Sequence, residues 1–197
     1  MEKELKSGTC PKCDSSHVKK YVEPYHVENL LGMRVGINNG AIKFACYLCK
    51  IEAIHIPDAK GLVASAAVAR VMLPIKLNGP EIKFLRKVTG LSAKDFAKTI
   101  SVRPETLSRW ENTGEQQIGY SEEKIFRILV GDKLKHDPHN KDHTLAIDYD
   151  HMAIVKMVIN LIRPSENIPL LKFERVNMKV ENKKPQKLWS ESGSKVA

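Results

Sequence analysis

The chain has 197 residues, of which 42% are hydrophobic, and 32 Lys and Arg against 23 Asp and Glu give a formal net charge of +9 at pH 7. A chain of this length can bury one sizeable core or two small ones, and its positive charge favours a polyanionic partner without indicating a fold. No apolar run could span a bilayer and the N-terminus lacks a signal-peptide core, so we expect a cytoplasmic protein with no membrane partner.

Four cysteines stand in two C-x-x-C pairs, Cys10 with Cys13 and Cys46 with Cys49. Each spacing directs two sulfur atoms inward, and two such turns complete a tetrahedral site of four thiolates. In a reducing compartment these pairs indicate metal more often than disulfides. A thioredoxin-like redox pair is the alternative reading, but its βαβ context is absent. We therefore expect a structural Zn²⁺ site with no open coordination position for catalysis.

Strand-like segments lie between and after the cysteine pairs. The segments are His17–Glu23, Met33–Ile37, Ala41–Ala45 and Lys50–Ile56, and Asn38–Gly40 is a strong hairpin-turn sequence. They predict a small β-rich domain in which a hairpin brings the two cysteine pairs together.

Two helices are predicted between this β-rich region and residue 90. Pro57 and Asp58 end the strand region and cap a helix over Ala59–Met72, in which small residues allow close approach of a neighbour. The segment Pro74–Pro80 is a linker, and Glu81–Val88 has the apolar spacing of a short helix.

The segment Leu91–Asn112 has the pattern of two short helices around a tight turn. Ser92 is a good N-cap, and Asp95 completes a pair that is similar to a capping box. The first helix should stop near Ile100. Pro104 suits the first position of the second helix, where its missing N–H is not needed.

The second of these helices has one apolar and one polar side. With 3.6 residues per turn, Leu107 and Trp110 point toward the preceding helix, whereas Glu105, Arg109 and Asn112 point to solvent. An anchored helix with a polar front suits the DNA major groove. The alternative is the solvated face of an ordinary helical hairpin.

Arg109 is the best candidate for reading a base, because its planar guanidinium matches O6 and N7 of guanine. Glu105 could accept a hydrogen bond from cytosine N4, or it could orient Arg109. The residues that we expect to face DNA are Lys94, Arg103, Glu105, Thr106, Ser108, Arg109 and Asn112.

The same segment resembles the helix-turn-helix of the Xre/Cro repressor family. The matching positions are Ala97, Ile100, Val102, Leu107 and the ending Ser108–Asn112. Two positions depart from the family pattern. Ser101 replaces the usual turn glycine, which predicts a slightly strained left-handed backbone, and Arg103 replaces the usual Ser or Thr cap.

A wider resemblance runs from Cys10 to Leu134. Ser121 is predicted to cap a further helix whose apolar side closes a small core over Trp110. The cysteine pairs, the joining helix and the Xre-like segment, in this order, resemble the MqsA-type antitoxin family. The resemblance implies an N-terminal zinc finger, a prokaryotic dimer that represses its own operator, and in many members neutralisation of an mRNA-cleaving toxin. Arg109 takes the base-reading position, whereas Glu105 stands where relatives often have an amide.

The C-terminal part lies outside the resemblance. Asp148 caps a predicted helix over Tyr149–Ile162 whose wide apolar stripe must be buried, within the monomer or, as we slightly favour, in a dimer contact. Leu170–Val180 is strand-like. Glu181–Ala197 is polar and basic, and we expect it to be disordered.

We therefore expect an α+β protein with four parts. These are a zinc-binding β domain over residues 1–57, a connecting helix and linker over 58–79, an all-α Xre-type helix-turn-helix domain over 80–134, and a helical extension with a basic tail over 135–197. The predicted function is a dimeric, sequence-specific repressor that binds an operator in double-stranded DNA. The alternative is an antitoxin whose zinc domain grips a toxin. A zinc enzyme is not expected, because no general base accompanies the four-thiolate site.

Overall fold

The computed structural model describes residues 9–113, 118–136, 155–156, 168–178 and 186–192. Within these ranges no helix is long and apolar enough to cross a membrane. The strands are β1 (Val18–Leu30), β2 (Met33–Cys46), β3 (Glu52–His55), β4 (Lys172–Met178) and β5 (Gln186–Glu191). The helices are α1 (Ala59–Met72), α2 (Gly79–Val88), α3 (Ala93–Thr99), α4 (Pro104–Asn112) and α5 (Tyr120–His136).

All five strands form one mixed sheet around β2. Strand β1 runs antiparallel to β2 along its whole length, and β3 pairs with the cysteine-bearing half of β2. The other half of β2 pairs in parallel with β4, which is followed by antiparallel β5. The end of the chain therefore returns to the sheet that its beginning forms.

The predicted hairpin turn at Asn38–Gly40 is wrong, because these residues lie inside β2. The turn is at Leu31 and Gly32, which have φ of 52° and 111°, as a two-residue turn with two positive φ angles requires. Asn39 also has a positive φ of 48°, but it lies opposite a register shift between Glu23 and Tyr25. The Asn-Gly pair therefore marks a bulge and not a reversal of the chain.

Gly40 is needed for a contact across the sheet. A Cβ atom at this position would lie 2.6 Å from Cη2 and Cζ3 of Trp189. The Trp189 indole is 1% exposed, and its Nε1 donates to the carbonyl oxygens of Pro57 at 3.1 Å and Asp58 at 2.9 Å. The last strand is thereby fixed against the middle of β2 and the start of α1.

The predicted division into a β domain and an all-α helix-turn-helix domain is wrong. The helices lie between β3 and β4 in the chain and share one hydrophobic core with the sheet. Ile37 of β2, Leu62 of α1, Ile82 of α2 and Phe126 of α5 are each fully buried in it. The turn at Gly32 also lies against the carbonyl oxygen of Pro80. Helices α2–α4 are short and have too little apolar surface to form a core by themselves. Helix α1 and the sheet supply the remaining apolar surface, which the sequence pattern of α2–α4 does not indicate.

The predicted C-terminal extension is only partly helical where the structure describes it, because residues 155–156 are helical but two strands, β4 and β5, follow. The strand-like reading of Leu170–Val180 is confirmed by β4, but β5 lies within the segment that we expected to be disordered. Apart from residues 155–156, the predicted helix Tyr149–Ile162 lies outside the described residues. The domain boundaries after residues 57, 79 and 134 stay a prediction.

Two buried arginines hold the segment between α1 and α2. Arg70 pairs with Glu81 and donates to the carbonyl oxygens of Ile75 and Lys76, both at 3.0 Å. Arg127 of α5 donates to the carbonyl oxygens of Val71 at 2.8 Å and Leu73 at 2.7 Å. Buried charges are tolerated when their hydrogen bonds are made, as they are here.

Near Arg127 a buried carboxylate completes this arrangement. Glu123 Oε1 accepts from Arg127 and, at 3.0 Å, from the backbone N–H of Leu77. Its Oε2 is buried without a hydrogen-bond partner, and burial raises the pKa of Glu123 above its usual value. The linker is therefore rigidly held between α1 and α5.

Candidate metal centre and nucleic-acid interface

The four cysteines predicted as metal ligands come together at one end of the sheet. Their sulfur atoms all lie within 4.8 Å of one another, with Cys10 Sγ 3.5 Å from Cys49 Sγ and Cys13 Sγ 3.7 Å from Cys46 Sγ. A tetrahedron with metal–sulfur bonds of about 2.3 Å has sulfur–sulfur edges of about 3.8 Å. The group therefore has the size and donor set to bind a metal ion.

The two C-x-x-C turns have the same backbone geometry. In the first, the N–H of Asp14 donates to the carbonyl oxygen of Cys10 at 2.9 Å, and Asp14 has a φ of 54°. In the second, the N–H of Lys50 donates to the carbonyl oxygen of Cys46 at 3.1 Å, and Lys50 has a φ of 58°. In each turn the residue after the second cysteine is left-handed, which turns both sulfur atoms to the same side.

Backbone N–H groups favour thiolates at two of the ligands. Hydrogen bonds from the N–H groups of Cys49 and Leu48 lower the pKa of Cys46 to about 6. Burial opposes ionisation of Cys10, but the N–H groups of Lys12 and Cys13 outweigh it and lower the pKa of that thiol.

Cys13 behaves in the opposite way. The N–H of Ser15 favours its thiolate, but burial and the three neighbouring sulfur atoms outweigh this bond and raise the pKa of Cys13 to about 12. Four thiolates so close together repel one another, so a bound cation is what would allow all four to ionise.

The turn between α3 and α4 follows the sequence expectation. The Ser92 hydroxyl accepts from the N–H of Asp95 at 3.1 Å as the N-cap of α3. Ser101 has the left-handed φ of 58° that its position in the turn predicts. Arg103 is the N-cap of α4 and makes no side-chain capping bond, and Pro104 begins the helix.

One side of α4 is firmly anchored. Leu107 is fully buried and Trp110 is 6% exposed. Next to them, the Glu111 carboxylate accepts two hydrogen bonds from Arg86 of α2, one from Nε and one from Nη2 at 3.0 Å. This hydrogen-bonded carboxylate raises the pKa of Arg86. We did not predict this ion pair, because Glu111 was interpreted as one of the polar residues at the end of the helix. The signal in the sequence that could have indicated it is the position of a charged residue directly after Trp110, which was expected to be buried.

The other side of α4 faces solvent. Arg103, Glu105, Ser108 and Arg109 are exposed, and Thr106 is half-buried. Asn112 is also exposed, but its amide donates to the carbonyl oxygen of Ser108 at 2.9 Å and to its hydroxyl at 3.2 Å.

The DNA-facing set also includes one residue on α3. Lys94 is exposed near the start of that helix. The residues predicted to face DNA therefore lie on the accessible sides of two adjacent helices, and the cysteines form a separate centre on the sheet. No family model, curated protein or solved structure matches this chain.

Proposed function

We propose that this protein is a sequence-specific transcriptional regulator that binds double-stranded DNA through α4. The observation that carries the proposal is the two-sidedness of α4, with Leu107, Trp110 and Glu111 held against the protein while Arg109 is exposed. A rigidly anchored helix can present its side chains to the major groove at a small cost in entropy. The net charge of +9 favours association with the phosphate backbone.

In this proposal the bound metal is Zn²⁺ with a structural role. Four thiolates in a tetrahedron are the donor set and geometry that zinc prefers, and four protein ligands leave no open position for a substrate. The resemblance of the cysteine pairs and of Leu91–Asn112 to MqsA-type and Xre-type regulators supports a repressor, at the level of these segments.

The experiment that tests the proposal is selection of binding sites from a pool of random DNA duplexes. The wild-type protein should enrich a defined sequence, and Arg109→Ala should lose discrimination at one base pair of each half-site. The expected loss is about 5- to 150-fold, because one bidentate arginine–guanine contact contributes about 1–3 kcal/mol. Weak, salt-sensitive binding should survive.

Arg34→Ala is the matched control, because it removes an exposed arginine from β2. It should enrich the wild-type sequence. If Arg109→Ala also enriches the wild-type sequence, α4 does not read DNA and the proposal is wrong.

A dimer follows from the same proposal. One reading helix covers one half-site, and two-fold operators have half-sites about one helical turn apart. The enriched sequence should therefore be palindromic. A single, non-repeated site bound by one chain would contradict the dimer.

A second candidate function is that of an antitoxin, and one observation favours it. Tyr47 and Leu48, between the ligands Cys46 and Cys49, are 60% and 70% exposed. Adjacent exposed apolar side chains are a common feature of protein interfaces. Co-expression with the product of the neighbouring reading frame tests this function. A complex that Leu48→Ser weakens would support it, and separate elution of the two proteins would contradict it.

A further inference from the structure

The sheet has one face that the helices leave open. Strand pairing fixes its members, because residues directly opposite each other in neighbouring strands point to the same side. His26 lies opposite the buried Ile37, and its Nδ1 is 3.4 Å from Oε2 of Glu23, so Glu23 and its partner Ala41 are on the helix side of the sheet, as Ile37 is on the other side of the bulge. Ile42, which follows Ala41, and Asn38, which follows Ile37, therefore point away from the helices. We call this the outer face. Its members on β1–β4 include Lys20, Val22, Tyr25, Asn38, Ile42, Phe44, His55, Lys172 and Glu174.

Two aromatic rings on the outer face each have a lysine above them. The Lys20 Nζ lies 5.3 Å from the centre of the Phe44 ring, and the Lys172 Nζ lies 6.0 Å from the centre of the Tyr25 ring. The Tyr25 ring also covers Gly36, where a Cβ atom would come within 3.0 Å of its hydroxyl. The Tyr25 ring is therefore packed on the backbone of β2, and each of the two rings has a cation next to it.

The surface between the two rings is apolar and accessible. Val22 is 54% exposed and Tyr25 is 45% exposed, and the half-buried Ile42 lies beside the exposed His55. From Asn38, opposite Tyr25, to Phe44 the strand advances roughly 20 Å at about 3.3 Å per residue. The two rings are thus several nucleotides apart along an extended strand.

Acidic side chains are segregated between the two faces of the sheet. On β1–β3, which the structure describes completely, Glu23, Glu28 and Glu52 belong to the opposite face together with Lys19 and Lys43, whereas the charged side chains on the outer face are Lys20 and Arg34. Strand β4 adds Lys172 and Glu174. The part of the outer face formed by β1–β3 therefore combines aromatic rings with positive charge and carries no carboxylate.

We propose that the outer face binds single-stranded nucleic acid, with bases stacked on Tyr25 and Phe44 and phosphates at Lys20 and Lys172. Stacking on aromatic side chains beside basic groups is how proteins hold single strands without reading their sequence. A base that stacks on either ring displaces the lysine ammonium group from the ring toward the phosphate of the same nucleotide. This activity is separate from the proposed binding of duplex DNA by α4.

The test measures binding of the full-length protein to fluorescent oligo(dT) and oligo(rU) of about 15 nucleotides, by fluorescence anisotropy. Tyr25→Leu should weaken binding about 5- to 150-fold, the range expected for the loss of one base–aromatic stack. Tyr25→Phe keeps the ring and should bind as the wild type does. Tighter binding of oligo(rU) would assign the natural ligand to RNA, and tighter binding of oligo(dT) would assign it to DNA.

A second pair of variants tests the phosphate contacts and does not depend on Tyr25. Lys20→Gln and Lys172→Gln should each reduce the slope of log affinity against log salt by about 0.7. The aromatic control is Tyr21→Leu. Tyr21 lies on the opposite face of the same strand, is 39% exposed and has Lys19 Nζ at 5.7 Å from its ring centre.

Three results would overturn the proposal. The first is equal weakening by Tyr21→Leu and Tyr25→Leu. The second is loss of oligonucleotide binding in Arg109→Ala, which would place the single strand on α4. The third is displacement of the oligonucleotide by poly-glutamate of equal charge, which would identify the partner as an acidic polypeptide. Failure of the selection from duplex DNA would leave the single-strand proposal unaffected, because the variants at Lys20, Tyr25 and Lys172 and the single-stranded ligands are not part of that selection.

Discussion

At the scale of the residue, Ser101 in the turn between α3 and α4 and Leu31 in the turn between β1 and β2 have left-handed backbones, with φ of 58° and 52°. Each position carries a small strain, because the Cβ atom of a residue other than glycine crowds the backbone in this conformation. The conformation at Ser101 was predicted from its place in a tight turn. The left-handed backbone at Leu31 was not, because leucine rarely adopts positive φ and Asn39-Gly40 offered a better turn sequence nearby. The turn preference of a short sequence therefore predicts the position of a turn only when the rest of the fold does not place those residues elsewhere, as it places Asn39 and Gly40 inside β2.

Ser101→Gly should stabilise the protein by about 0.5–1 kcal/mol. Relief of a left-handed conformation is worth roughly 1–2 kcal/mol, and the greater freedom of glycine in the unfolded chain offsets about 0.5–1 kcal/mol of it. Urea unfolding monitored by tryptophan fluorescence measures the change. Ser108→Gly, in the exposed middle of α4, should destabilise by about 0.5 kcal/mol. Equal signs for the two changes would contradict strain at Ser101.

At the scale of the element, the sheet divides into a part that is packed against the helices and a part whose stability we expect to come from a metal bound at the four cysteines. Near the cysteines, Val22 and Ile54 are exposed and Ile42 is half-buried, so little apolar surface holds the strand ends there. Farther along β2, Val35, Ile37 and Ala41 are fully buried against the helices. Metal binding should therefore supply much of the stability of the first part and little of the second.

Removing the metal with a chelator should loosen the strand ends and leave the helices folded. Hydrogen exchange followed by mass spectrometry should show loss of protection in peptides covering residues 9–22 and 42–56, with protection retained in α1. The reason is that, among the residues that the structure describes, the hydrophobic core that contains Leu62 and Ile37 includes no cysteine. Simultaneous loss of protection in all peptides would show that the metal holds the whole fold.

At the scale of the whole molecule, the contact between Trp189 and Gly40 joins the last strand to the second. Gly40→Ala should destabilise the protein by about 1–3 kcal/mol, because the added methyl group meets the indole at 2.6 Å. Trp189→Ala should cost about 3–5 kcal/mol. In the double variant the indole is gone and only Cγ2 of Ile37, at 2.9 Å, still crowds the added methyl group, so adding Gly40→Ala to Trp189→Ala should cost clearly less than it does in the wild type. Additive losses in urea unfolding would contradict this contact.

The shared core also predicts how the helical part behaves alone. A fragment of residues 80–134 should fail to unfold cooperatively, because Arg127 loses the carbonyl oxygens of Val71 and Leu73, and Glu123 loses the N–H of Leu77. Near-ultraviolet circular dichroism during a thermal melt checks this, with the full chain as the reference. A cooperative melt of the fragment would show that an independent domain exists within the larger fold.

The sequence alone determined the features that depend on near neighbours in the chain. The C-x-x-C spacing indicated the metal ligands, and the caps and apolar periodicity located α1, α3 and α4, because both signals act within a few residues. Only the tertiary structure decided how these elements combine. The pairing of β4 with β2, the position of Trp189 over Gly40 and the ion pair between Arg86 and Glu111 join residues far apart in the chain. Such contacts depend on complementary shape and charge, which no local pattern encodes.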